Sequence, residues 1–148
     1  MFKQAFVAVL LCLVAIGVRA DVVNIDNVEL ARLAASGVAV IDIRTAPEWK
    51  ETGVIPGSKL MTFFDENGQS DPPAWLTKLK AVVKPEQPVI LICRSGNRTR
   101  AATQFLAQQA GYRTVYNAST GINSWAREGR PLVPASSAVA TCAAGARC

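Results

Sequence analysis

Histidine is absent from all 148 residues. That gap removes Ser-His-Asp triads, imidazole general bases and most zinc sites, since each depends on a ring nitrogen that titrates near neutrality or ligates metal. A strong excess of charge of one sign is also lacking. Aromatics make up 7% of the chain and the formal net charge is +5, with no basic run and no aromatic spacing suited to stacked bases. No nucleic-acid partner is therefore expected. No internal repeat is visible, and neither a metal nor an organic cofactor is expected.

The first twenty residues, MFKQAFVAVLLCLVAIGVRA, hold one early lysine, an apolar run from Ala5 to Val18, and Ala20 before the polar Asp21. They read as a secretory signal peptide cut after Ala20. The run is below the roughly 20 residues a spanning helix needs, and the bulky Leu11 argues against a lipid-modified Cys12. The expectation is an exported, periplasmic protein with no membrane association after cleavage. Loss of Lys3 and Arg19 leaves only a mild positive excess. Residues 21–134 are enough for one domain with a genuine core and too few for two. Residues 135–148, ASSAVATCAAGARC, contain no large apolar side chain that could dock them and are expected to form a flexible tail.

Within 21–134, apolar runs of strand length alternate with segments of helical period. DVVNI, VAVIDI, KLMTF, PVILI and TVYNA are the strand candidates. The stretch 26–36 reads as a helix with Asp26 as N-cap and Gly37 as its stop. TAPEWKE opens with a cap-type Thr45 and a first-turn proline. AWLTKLKAVV puts Trp75, Leu76, Leu79, Val82 and Val83 on one face. RTRAATQFLAQQA and the stretch around INSWAREG complete the helices. Strands separated by helices predict right-handed crossovers and a mainly parallel sheet in an α/β domain.

The stretch VILICRSGNRTRAATQF carries the chemistry. Cys93 follows a buried strand directly, and ligands of open α/β sheets bind beyond strand carboxyl ends. Gly96 lets the backbone turn. The tight loop and the following helix then present N–H groups to an anion. Such donors and nearby arginines bring a cysteine pKa from about 8.5 into the range of roughly 3.5 to 7.5. The resulting thiolate is a nucleophile without any general base, which suits a chain lacking histidine. Arg98 is the guanidinium best placed for a forked contact with an anionic substrate, and Arg94 sits at the rim, adding attraction and selectivity.

Several ordered motifs resemble the rhodanese family of sulfurtransferases: VIDIRTAPEW, GVIPGS, CRSGNRT and GINSWAREGRPLV, over roughly residues 24–134. The resemblance implies a rhodanese-like α/β fold, a mainly parallel five-stranded sheet flanked by helices on both faces. It further implies that Cys93 attacks the sulfane sulfur of a small sulfur-containing anion such as thiosulfate, forms a persulfide, and passes the sulfur to cyanide or a thiol. The acceptor could equally be a periplasmic protein, which would make the chain a persulfide carrier. Under this reading Arg94, Ser95, Gly96, Asn97, Arg98 and Thr99 cradle the donor, and Arg44 lies at the same cleft as a substrate-binding residue. Asp42 is expected to be a structural carboxylate, because a free anion would oppose ionisation of the thiol. Glu48 and Trp49 are expected to serve the helix and its packing, and Trp125 the core. Two positions depart from the family pattern: Val54 stands where histidine is usual, and Thr120 where the first of two glycines is usual.

A cysteine-dependent phosphatase or arsenate reductase would use the same physics. Phosphatase loops place five residues between cysteine and arginine, whereas Cys93 and Arg98 enclose four, RSGN. The phosphatase reading also needs an acid for the leaving alkoxide, and nothing in the sequence aims Asp65, Glu66 or Asp71 at Cys93. Cys142 and Cys148 enclose five residues and could form a local disulfide, leaving Cys93 as the free thiol. As accessory thiols, they could instead accept sulfur from Cys93 or resolve it as a disulfide.

Overall fold

The computed structural model describes residues 20–139. Residues 1–19 of the expected signal peptide and the tail cysteines Cys142 and Cys148 lie outside the described residues. The elements in chain order are β1 (Val22–Ile25), α1 (Asn27–Ala35), β2 (Ala39–Asp42), α2 (Ala46–Thr52), β3 (Lys59–Leu60), α3 (Pro72–Lys80), β4 (Val89–Ile92), α4 (Asn97–Gln108), β5 (Val115–Ala118), α5 (Gly121–Arg127) and α6 (Ala135–Val139). The five strands pair only in parallel, in the order β1-β5-β4-β2-β3.

The expected α/β architecture is what forms, and local chemistry explains its boundaries. Asp26 caps α1 by accepting from the Glu29 N–H at 2.8 Å, and Gly37 ends it at φ 96°. The α3 helix begins at the paired prolines 72 and 73, where a missing N–H costs nothing. KLMTF forms a shorter strand than expected: only Lys59 and Leu60 pair, alongside Ile41 and Asp42.

Strand β4 is central, and all four of its residues are buried. Its alternation divides the core. Val89, Leu91 and Cys93 face Trp75, Leu79, Ala102 and Leu106 beneath α3 and α4. Ile90 and Ile92 face Leu30, Leu33, Ile122 and Trp125 beneath α1 and α5. Of the α3 face, Trp75 and Leu79 are buried and Val83 just beyond it also packs inward, whereas Val82 is 43% exposed. Trp125 is core as expected, its indole N–H donating to the Pro131 carbonyl at 2.8 Å.

One local expectation changes, and one departure from the family pattern is explained. The stretch from Ala135, expected to be flexible, opens with α6, whose Ala138 is 3% exposed and packs on Val54 and Leu60. Small side chains are what allow this short helix to lie close to the body of the domain. Val54 is fully buried in the same cluster, and its backbone exchanges two 2.9 Å hydrogen bonds with Val133. Histidine's absence there leaves a packed apolar contact.

Topology locates the cleft. From β4 the chain crosses through α4 to β5 on one side, and from the adjacent β2 it crosses through α2 to β3 on the other. In open parallel sheets, the carboxyl ends of two strands whose connections diverge in this way flank a crevice. Cys93 follows one of them, and Arg44 through Glu48 follow the other.

Candidate active site

Because Cys93 continues the inward-facing register of β4, its side chain starts within the core, and the residue is 1% exposed. The chain then turns sharply. Gly96 adopts φ 90°, and a Cβ there would stand 2.1 Å from the Ser119 carbonyl oxygen, so no other residue fits without moving the backbone. This turn brings the Gly96 N–H to 3.2 Å from Cys93 Sγ. One turn into α4, the Thr99 hydroxyl lies 3.6 Å from the sulfur and 3.0 Å from the Gly96 carbonyl oxygen. Once the sulfur is ionised, the hydroxyl is the partner that holds a proton and becomes the donor.

Two opposing effects set the thiol's acidity. Burial pushes it up, but the Thr99 hydroxyl and the backbone N–H groups of Thr99, Ser95 and Gly96 outweigh burial and bring the pKa below its ordinary value. Hydrogen bonds to the charged form favour it. The arrangement can therefore hold a thiolate and, after capture of an electrophilic atom, the anion formed there.

A second device orients the loop. The first-turn N–H groups of α5 do not point to solvent: Ile122 donates to the Cys93 carbonyl at 2.9 Å and Asn123 to the Arg94 carbonyl at 3.2 Å. Fixing those carbonyls outward leaves the following N–H groups to face the sulfur. Gly121 allows the approach at φ 66°, where a Cβ would meet the Arg94 oxygen at 2.4 Å. Thr120 has an ordinary φ of −94° and its hydroxyl lies 3.3 Å from Asn27 Oδ1, so the departure from paired glycines is accommodated before the close contact. Sequence reasoning missed this role of α5, although the lone glycine opening a helix was its trace.

The guanidinium groups differ from expectation. Arg44 does not face the cleft: it is fully buried, and a substrate-binding role is corrected on that ground. Its Nε and Nη2 donate to the Asp42 carboxylate at 2.9 and 2.7 Å, Nη1 to Thr52 Oγ1 at 2.7 Å, and Nη2 also to the Gly53 carbonyl at 2.9 Å. The pair ties β2 to the end of α2. Arg98 does make a forked contact with a carboxylate, but an internal one: Nη1 to Glu48 Oε2 at 2.8 Å and Nη2 to Oε1 at 2.6 Å. Glu48 also accepts from the Thr45 N–H at 3.1 Å and its hydroxyl at 3.0 Å. Arg98 holds the Glu48 carboxyl down at about 2. Glu48 therefore belongs to the site as well as to its helix. A Glu three residues after a capping Thr is so ordinary a helix start that it concealed the long-range partner.

Arg94, Ser95 and Asn97 are exposed at the mouth. Asp65 accepts from the N–H groups of Asn67 and Gln69, and Asp71 from that of Ala74, so both carboxylates are occupied as local caps. Among the described residues, no group of three or more acidic or cysteine side chains could hold a metal ion.

A family model described as "Rhodanese-like domain" matches residues 26–128. The chain is 33% identical over 113 residues to a protein named sulfurtransferase from Allochromatium vinosum, covering 74% of this chain and 94% of that one. Among solved structures, it resembles the polysulfide-sulfur transferase homodimer from Wolinella succinogenes, with a TM-score of 0.60, 25% identity, and coverage of 78% of this chain and 81% of that one. It also resembles the human single-domain sulfurtransferase, with a TM-score of 0.54, 28% identity, and coverage of 71% and 96% respectively.

Proposed function

The chain belongs to the rhodanese-like domain family, and on that premise we propose that it is a sulfurtransferase carrying sulfane sulfur on Cys93. In the first half-reaction the Cys93 thiolate attacks the outer sulfur of a thiosulfate-like donor. The donor's S–S bond breaks, its electron pair leaves on sulfite or the equivalent anion, and a Cys93 persulfide remains. In the second, cyanide or a thiol attacks the terminal sulfur, and the electron pair of that S–S bond returns to Sγ. Each step breaks one S–S bond and forms one bond to the transferred sulfur, so the cycle balances without any external oxidant or reductant. No general base is required, because the nucleophile enters each cycle already ionised.

The observation that carries this reading is the hydrogen-bonded sulfur itself: a buried Sγ at the sheet's crevice with the Gly96 N–H at 3.2 Å and the Thr99 hydroxyl at 3.6 Å. The same donors that lower the thiol pKa would hold the terminal sulfur anion of the persulfide. A phosphatase reading gains no support: of the three loop acids that could protonate a leaving alkoxide, Asp65 and Asp71 are spent on backbone caps, and no contact joins Glu66 to Cys93 among the described residues.

The test is intact mass after incubation with thiosulfate. An adduct of about 32 Da is expected on the wild type and not on Cys93→Ser, as nucleophilic capture requires. An adduct on both, or on neither, would refute the assignment. Discharge by cyanide or a small thiol in multiple turnovers favours the enzyme; discharge only by one protein thiol favours a carrier. Export and cleavage after Ala20 belong to the same proposal, and the mass of the protein recovered from a periplasmic extract tests them.

A further inference from the structure

The loop from Arg94 to Thr99 contains two guanidinium groups, and their charges are not equally available. Arg98 gives one N–H from each arm of its fork to the two oxygens of Glu48, at 2.8 and 2.6 Å. Glu48 is itself held from behind by the Thr45 N–H and hydroxyl at 3.1 and 3.0 Å. Its position does not depend on Arg98 alone. The two side chains are 28% and 18% exposed, so the pair is open to an incoming anion. Arg94, by contrast, is exposed and makes no ion pair among the described residues. The other cation near the crevice, Arg44, is buried and already neutralised by Asp42.

We propose that Glu48 determines donor specificity: by occupying the Arg98 fork it leaves the loop with one uncompensated guanidinium, Arg94, and so matches the site to sulfur donors bearing a single negative charge over the thiosulfate dianion. A bidentate carboxylate is the strongest ligand a guanidinium finds on a protein, so a donor anion competes for Arg98 only by displacing one. An anion that fails to displace it meets a neutral pair. The uncharged N–H groups around Cys93 serve any donor alike. What distinguishes a monoanion, such as an organic thiosulfonate or a persulfide, from a dianion is the number of full charges facing it, and Glu48 sets that number. The inference rests on the sulfurtransferase reading above.

The experiment measures the rate of Cys93 persulfide formation against donor concentration, with thiosulfate and with an aryl thiosulfonate, in wild type and Glu48→Gln. Releasing Arg98 should lower KM for thiosulfate by about tenfold and for the monoanion by about threefold, since a charge-assisted contact opens and grows with the donor's charge. A merely structural Glu48 gives the opposite sign, a higher KM for both. Because Glu48→Gln also weakens the Thr45 contacts, the double variant Glu48→Gln/Arg98→Gln provides a second reading: it removes a pair that is neutral to the donor. Its KM for thiosulfate should remain within about twofold of wild type. A tenfold rise would show that Arg98 already binds donor and would overturn the proposal. So would an unchanged or raised thiosulfate KM in Glu48→Gln. Failure of the wild type to form a persulfide from either donor would refute the sulfurtransferase reading instead.

Discussion

Replacing Thr99 by valine tests the origin of Cys93 acidity, because the change preserves shape and deletes one hydroxyl. That hydroxyl stands 3.6 Å from Sγ and 3.0 Å from the Gly96 carbonyl oxygen. The carbonyl keeps another donor, the Arg100 N–H at 3.3 Å, so the perturbation falls mainly on the sulfur. A hydrogen bond to a charged partner is worth about 1.5–3 kcal/mol, and the long contact to sulfur argues for the lower end. About 1.5 kcal/mol corresponds to roughly a tenfold loss of thiolate at any pH below the thiol pKa. The assay is the pH dependence of iodoacetamide alkylation, paired with the ultraviolet absorbance of the thiolate. Thr99→Val should ionise at higher pH than wild type, while Thr99→Ser, which retains the donor, should follow wild type. The linkage to stability has a definite sign. Because folding lowers the thiol pKa, ionisation adds stability as pH rises through the folded value, and the contribution is complete above the unfolded value near 8.5. Thr99→Val should shrink that gain. If its alkylation profile superimposes on the wild type, the hydroxyl is not what offsets burial and the account of the nucleophile fails.

Other perturbations separate structure from chemistry. Arg44→Gln leaves the buried Asp42 carboxyl group without its partner, and should cost about 3–5 kcal/mol by chemical denaturation, with donor KM unchanged in the protein that remains folded; a selective rise in KM would restore Arg44 to the substrate site. Gly121→Ala places a Cβ against the Arg94 carbonyl at positive φ, a strain of about 1–3 kcal/mol before the clash is counted. It should slow persulfide formation in the folded fraction, because α5 no longer fixes the loop carbonyls; normal kinetics in that fraction would exclude the positioning role. Glu48, held at about 2 by Arg98, adds stability that is fully present above its unfolded pKa near 4.5 and is lost as pH falls toward 2. Acid titration of the unfolding free energy should show a loss of about 1–2 kcal/mol across that window, absent in Glu48→Gln, the figure being reduced for partial solvent exposure.

Much of the molecule was legible because its signals are local. The unbroken VILI run predicted a buried strand, and period-two alternation is what sends Cys93 to the α3 and α4 side of the sheet. Asp26 and Gly37 marked the ends of α1, each through groups within four residues of it. The nucleophile was legible for the same reason: strand, thiol, glycine turn and helix occupy consecutive positions, and the donors to the sulfur come from that stretch alone. The arginines were not. Which anion each one meets depends on neighbours distant in sequence.

By itself, then, the sequence determined the alternating architecture, the position of the thiol at a strand's carboxyl end, and the turn that surrounds it with N–H groups. Only the tertiary structure decided the charge at the site. Placing β4 between β5 and β2 brings the α5 N–H groups onto the carbonyls of Cys93 and Arg94, and brings Glu48 onto Arg98 across 50 residues of chain. Strand order is set by the global packing of both sheet faces, and no local period encodes it. The physical consequence is that hydrogen bonds govern this thiolate, while the arginines beside it are largely spent on the protein's own carboxylates.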